Sequence, residues 1–166
     1  MMVHLEDRPG MLASLEQSGF RGNLTAGADL APLTTWRIGG PAELLASPVD
    51  ETDLAIALAW AGRRGVPWRI LGNGSNLLIP DQGVPGLVLR LRKVLDRLEF
   101  DGNAVRAGAG AMFPALAAAC AARGLAGLEF AGGIPGTVGG AVIMNAGWHE
   151  HELGNRIETV RWLDPE

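Results

Sequence analysis

A single cysteine, Cys120, stands among the 166 residues, which excludes an intramolecular disulfide and a cysteine-based zinc site. No stretch reaches the roughly 18 consecutive apolar residues of a membrane-spanning helix. Met1 to Phe20 carries charges throughout, without the continuous apolar core of a signal peptide. An excess of positive charge is also missing: 14 basic and 18 acidic side chains leave a net −4. Neither nucleic acid nor an anionic membrane is therefore attracted in general. The short basic groups, Arg63-Arg64 and Arg90, Arg92 and Lys93, read as solvated element ends. No Gly-Lys-Ser/Thr occurs, so there is no Walker phosphate loop. His149 and His151 lie beside Glu150 and Glu152 at a spacing that suits one strand face, but no third ligand accompanies them. They read as surface polar residues, and no metal site is expected. No Ser-His-Asp or Cys-His arrangement can be defended from spacing.

What the chain does have is apolar residues, 48% against 19% charged, and 24 glycines. That balance excludes disorder and suits one domain or two small subdomains in a soluble, cytoplasmic protein. The glycines are unevenly placed. Six of the sixteen residues from Gly132 to Gly147 are glycine, in Gly-Gly-Ile-Pro-Gly-Thr-Val-Gly-Gly-Ala-Val-Ile-Met-Asn-Ala-Gly. Apolar residues run through it, so it is no solvated linker. Glycine lets a ligand reach the main chain without an intervening Cβ. The stretch is expected to expose bare N–H groups to phosphate oxygens or a ring edge, or else to be packed turns inside a core. A second cluster, Leu71-Gly72-Asn73-Gly74-Ser75-Asn76-Leu77-Leu78, adds two asparagines tolerant of left-handed backbone and a hydroxyl donor. Two such clusters suggest two sides of one pocket for a large phosphorylated ligand.

In chain order, residues 1–30 read as an irregular start with one short helix, Met11 to Gln17, stopped at Gly19. Pro32 to Ala46 reads as two short strands about Gly39-Gly40-Pro41, with Arg37 as an exposed strand residue or an anion contact. Asp50 to Arg64 is a helix. Asp50 caps it with Asp53 three residues on, Leu54, Ala57, Leu58 and Ala61 share a face, and Gly65 and Pro67 end it. Strand Trp68–Leu71 follows, completing a parallel crossover. The Gly72–Asn76 loop then leaves the C-terminal end of a parallel strand, where ligands of α/β sheets bind. Leu87 to Leu91 is a further strand. Leu95–Phe100 and Ala104–Ala107 flank Asp101-Gly102-Asn103 as a hairpin. Pro114 to Arg123 is a second helix, burying Phe113, Leu116, Ala117 and Cys120 on one face, with Cys120 as a small hydrophobe. Arg156 to Leu163 alternates like a strand, and Asp164-Pro165-Glu166 reads as a turn into another, so the end looks cut. The shift from crossover to antiparallel pattern predicts an N-terminal extension over 1–30 and subdomains over 31–92 and 93–166.

The Gly72 cluster begins like a Rossmann fingerprint but fails at the third glycine. Pro80, Gly83, Pro85 and Gly86 exclude a following helix, and Arg90 and Arg92 fall where that fold places an acid.

Gly72 to Leu78 and Gly133 to Gly147, preceded by Thr34-Thr35-Trp36-Arg37-Ile38-Gly39-Gly40-Pro41-Ala42-Glu43, closely resemble the UDP-N-acetylenolpyruvoylglucosamine reductases. The resemblance runs over about Leu33 to Asp164, with its three motifs in family order. It implies an α+β fold, a non-Rossmann FAD-binding fold of the type shared with vanillyl-alcohol-oxidase-like flavoproteins. Its two small subdomains, the first parallel and the second mainly antiparallel, would hold the flavin between them. Carried over, Gly72, Asn73, Gly74, Ser75, Asn76 and Leu77 would wrap the pyrophosphate. Ile134, Pro135, Gly136, Gly139, Gly140 and Ala141 would line the flavin, with Asn145, Ala146 and Gly147 nearby. Neither the two helices nor the hairpin supplies a His or Cys beside these loops for covalent attachment, so FAD is expected to be noncovalent.

The resemblance further implies peptidoglycan precursor synthesis, with hydride passing from NADPH to FAD and on to the enolpyruvyl double bond of a UDP-sugar. The family's Tyr-Arg-x-Ser arginine, its later proton-donating serine and its later glutamate have no counterpart up to Glu166. The chain therefore reads as the FAD-binding part, with no catalytic residue of its own, little activity alone, and a monomer as the expected state. Two other readings stay open here. One is another FAD-linked oxidoreductase of this fold; the other is a non-catalytic domain that binds nothing.

Overall fold

The computed structural model describes residues 8–92 and 94–164, and side chains from Gly10 onward. The chain divides into two compact units, Met1–Leu91 with Leu163–Glu166, and Arg92–Trp162.

The first unit is built on a four-stranded sheet of order β1-β2-β4-β3. Helix α1, Arg8–Gln17, ends before Gly19, whose φ of 93° only glycine adopts comfortably. Strand β1, Asn23–Ala26, pairs antiparallel with β2, Ala42–Ser47. Strand β4, Val84–Arg90, lies between β2 and β3, Trp68–Leu71, parallel to both. Its central position explains its sequence. Gly86 to Leu89 are all buried, as expected where a parallel strand is covered on both faces. The crossover from β2 to β3 therefore skips one strand position, which β4 fills later.

Helix α2, Glu51–Arg64, makes that crossover. Asp50 caps it by accepting from the Asp53 N–H at 2.8 Å, and Gly65 ends it in a left-handed conformation. The predicted face is buried, and with it Asp53 and Trp60. Asp53 is fully enclosed; its carboxylate accepts the N–H groups of Arg21 at 2.8 Å and Val49 at 3.0 Å. One buried side chain thus fixes two chain segments to the start of α2.

Two expectations are corrected here. Pro32 to Ile38 is not a strand: Ala31–Leu33 forms a 3-10 turn, and Arg37 takes a left-handed φ of 54°. The antiparallel partner of β2 is instead β1, an edge strand whose four residues are too few to mark it out in the sequence. The second correction concerns Arg156 to Leu163, which joins no sheet among the described residues. Alternation specifies which face a strand would bury, but a strand exists only where a neighbour completes its hydrogen bonds.

The second unit packs around Phe113, Leu116, Ala117, Cys120, Ala131, Val138, Ala141 and Leu153. Hairpin strands β5, Leu98–Asp101, and β6, Ala104–Ala107, join across the tight Gly102-Asn103 turn. Helix α3, Phe113–Ala121, places Phe113 edge-on to Phe130, with ring centroids 6.1 Å apart. Its end is tied to β5 by the Arg123 guanidinium, 3.8 Å from the Phe100 ring centroid. Cys120 is buried on the α3 core face, and burial pushes its thiol above the usual range. Helix α4, Val138–Ile143, and a minimal hairpin of β7, Gly147–Trp148, and β8, His151–Glu152, complete the unit. No helix among the described residues is long and apolar enough to cross a membrane.

Candidate functional site

In the first unit, the Gly72–Leu77 loop leaves the C-terminal end of β3, as expected. The left-handed Gly74, φ 67°, presses against the 3-10 turn at Leu33. The Thr35 N–H donates to the Gly74 carbonyl at 3.1 Å, and the Asn73 amide donates to Ser75 Oγ at 2.8 Å. The loop's shape is thereby set from inside the unit. Among the described residues, none accepts a hydrogen bond from the main-chain N–H groups of Asn73, Ser75 and Asn76. Such a cluster of undirected donors in a left-handed turn suits an anion. Leu77 and Leu78 stand exposed beside it. The packing of Leu33 to Thr35 under Gly74 was not read from the sequence, where that segment looked like a strand.

In the second unit, the long glycine stretch is not one open wall. Glu129–Gly133 is a 3-10 turn, Ile134 to Gly136 is extended loop, and Thr137 caps α4, accepting from Gly140 N–H at 3.4 Å. Several amides expected to be bare are engaged internally. Val138 N–H donates to Ala111 at 2.8 Å, Gly139 N–H to Ala109 at 2.9 Å, and Ala141 N–H to Thr137 at 2.9 Å. Gly139 is glycine for packing: a Cβ there would sit 2.9 Å from that of Ala109. Gly132, Gly133 and Gly136 differ, because a Cβ on any of them would meet nothing within 4 Å. Gly136 holds a φ of 148°, which side chains resist. These three leave a backbone surface that a flat ring can approach.

The small-residue run Gly108-Ala109-Gly110-Ala111 backs α4 and was missed as part of this arrangement. Its signal was present in the sequence, since only small residues allow two backbones to come so close. Gly108 approaches the Leu95 carbonyl so tightly that a Cβ would stand 1.8 Å from it.

Asn145, Ala146 and Gly147 follow α4. Asn145 takes a left-handed φ of 44°, and the Ala146 N–H returns to the Ala141 carbonyl at 2.8 Å. The exposed side chains of Ile143 and Met144 precede them. His149 and His151 are exposed; the His151 ring stacks on Phe130 with centroids 6.1 Å apart. Among the described residues, no three His, Cys, Asp or Glu side chains group as a metal site would require. Glu129 accepts the Gly127 N–H through both oxygens, which holds its carboxyl below the usual range. By itself, the first unit offers a turn with free donors that suits an anion, and the second unit, by itself, offers a Cβ-free surface that suits a flat ring.

A family profile described as an FAD binding domain matches residues 42–165. The chain belongs to that FAD-binding family, and its fold is a mixed α/β one. A 6-hydroxy-D-nicotine oxidase from Arthrobacter nicotinovorans, 22% identical, aligns over 66% of this chain and 26% of its own at a TM-score of 0.52, a likeness of fold alone.

Within that family the chain is similar to UDP-N-acetylenolpyruvoylglucosamine reductases. The Synechococcus sp. (strain JA-3-3Ab) enzyme is 48% identical over 87% of this chain and 46% of its own length. The Rubrobacter xylanophilus enzyme is 52% identical over 79% of this chain and 43% of its own. The crystal structure of the Thermus caldophilus enzyme, 38% identical, aligns over 80% of this chain and 45% of its own at a TM-score of 0.63. The chain spans about half the length of the curated relatives it matches.

Proposed function

We propose that this chain is the FAD-binding portion of a UDP-N-acetylenolpyruvoylglucosamine reductase. In the complete reaction, NADPH would reduce the enolpyruvyl double bond of the UDP-sugar to give UDP-N-acetylmuramate for peptidoglycan. The observation that carries the reading is the 48% identity with a curated reductase across 87% of this chain.

When bound, FAD supplies a two-electron relay between a hydride donor and a carbon–carbon double bond. The chain's own part is to bind and orient. Gly72 to Leu77 would hold the diphosphate through the N–H groups of Asn73, Ser75 and Asn76, with no lysine needed. Ile134, Pro135 and Gly136 would face the ring system across Cβ-free backbone. Gly139, Gly140 and Ala141 would support that surface through their bonds to Thr137 and Ala109, with Asn145, Ala146 and Gly147 completing it. The binding would be noncovalent. The cationic and proton-donating groups required beside the enolpyruvyl carboxylate have no assigned counterpart among these residues, so turnover would need further protein.

The test is direct. The purified chain, incubated with FAD and freed of excess by gel filtration, is expected to be yellow with flavin absorbance at one equivalent. It should show little NADPH oxidation dependent on the enolpyruvyl UDP-sugar. A folded chain that stays colourless overturns the proposal.

A further inference from the structure

We infer that Asn145 is a positioning residue for the flavin-facing backbone, its carboxamide held by Glu152 and Gly154 instead of being offered to the cofactor, an inference that rests on the flavin-binding reading above. Asn145 Nδ2 donates to Glu152 Oε2 at 2.8 Å, and Asn145 Oδ1 accepts the Gly154 N–H at 2.8 Å. Both polar ends of the carboxamide are therefore engaged within the unit, one through a charge-assisted bond. Gly154 is matched to this contact, because a Cβ on it would lie 2.8 Å from Asn145 Oδ1.

The main chain around Asn145 is anchored as well. Ala146 N–H returns to Ala141 on α4 at 2.8 Å, and Leu153 N–H donates to the Ala146 carbonyl at 3.0 Å, with Leu153 buried in the core. Asn145 itself holds the left-handed φ of 44° that asparagine tolerates better than most residues. The backbone of Asn145 to Gly147 is thus located by α4 on one side and by the β7–β8 hairpin on the other. The side chain of Asn145 adds a link to Glu152 of the hairpin and to Gly154 just beyond it. Any contribution of this residue to flavin binding then passes through where it sets the main chain.

Exchanging the polarity of the pair separates this role from a direct contact. Asn145→Asp sets two carboxylates against each other and should weaken FAD binding about tenfold or more, as for a lost hydrogen bond to a charged group. Glu152→Gln keeps an acceptor and should weaken it only about threefold. In the double variant, the introduced glutamine amide can donate to the introduced aspartate, whose other oxygen still accepts the Gly154 N–H. Affinity and the flavin absorbance band shape should then return toward those of the parent. A double variant that binds no better than Asn145→Asp, or an Asn145→Asp chain that binds like the parent, overturns the inference. Amide exchange at Gly154 without flavin reads the clamp separately: Asn145→Gly removes the acceptor while keeping the left-handed backbone, and should speed that exchange up. If the parent chain takes up no FAD, the functional reading fails, while unchanged Gly154 exchange in Asn145→Gly sinks the clamp.

Discussion

The carbonyl oxygen of Leu33 lies 2.0 Å from where a Cβ would stand on Gly74. Glycine at position 74 of the Gly72–Leu77 loop is thus required by the turn beneath it, independently of any ligand. Gly74→Ala would meet backbone that cannot give way and a φ of 67° that resists a side chain. It should cost about 2–4 kcal/mol of stability and abolish FAD uptake. Urea unfolding and flavin absorbance of the variant check both.

Gly133 and Gly136 separate space from conformation. A Cβ on either meets nothing within 4 Å, but only Gly136, φ 148°, occupies backbone that side chains resist. Gly133→Ala should change stability by less than about 0.5 kcal/mol while weakening FAD binding. Gly136→Ala should lose about 1–2 kcal/mol as well. Thermal melting of the two apo variants beside FAD titration shows the contrast.

Asp53 tests the buried frame. Replacing it with alanine strands the N–H groups of Arg21 and Val49, and an enclosed unsatisfied donor costs about 1–3 kcal/mol. Asp53→Ala is therefore expected to be among the most damaging substitutions in α2, well beyond Thr52→Ala at the exposed neighbouring position. Chemical denaturation of both variants gives the comparison.

Asp50 sets an acid limit. The Asp53 N–H, and then the Arg21 guanidinium at 2.6 Å, hold its carboxyl below the ordinary value of 3.8. A carboxyl whose folded value is depressed stabilises the fold above its unfolded value, and that contribution is lost as pH falls through the folded one. The benefit should therefore be present at neutral pH and fade below about pH 4. In Asp50→Asn, the difference in melting temperature from the parent should shrink on acidification across that range. A difference that stays constant would remove Asp50 from the account.

Much of this protein was legible from local pattern. Helix α2 was read with its cap, face and stop because Asp50, Leu54, Ala57, Leu58, Ala61 and Gly65 act within a few residues of one another. The β5–β6 hairpin and the buried side of α3 were legible for the same reason, and the glycine clusters marked the family. Pairing was not local. Nothing within Asn23–Ala26 announces that it borders β2, and nothing within Arg156 to Leu163 shows that it enters no sheet among the described residues.

The order of residues alone dictates where glycine stands and therefore where backbone can be bare. Folding selects which of those amides are free: Val138 and Gly139 donate back to Ala111 and Ala109, while a Cβ-free face remains at Gly132, Gly133 and Gly136. The physical reason is that a glycine permits close approach from either side. Only the folded chain settles whether its own backbone or a ligand makes that approach.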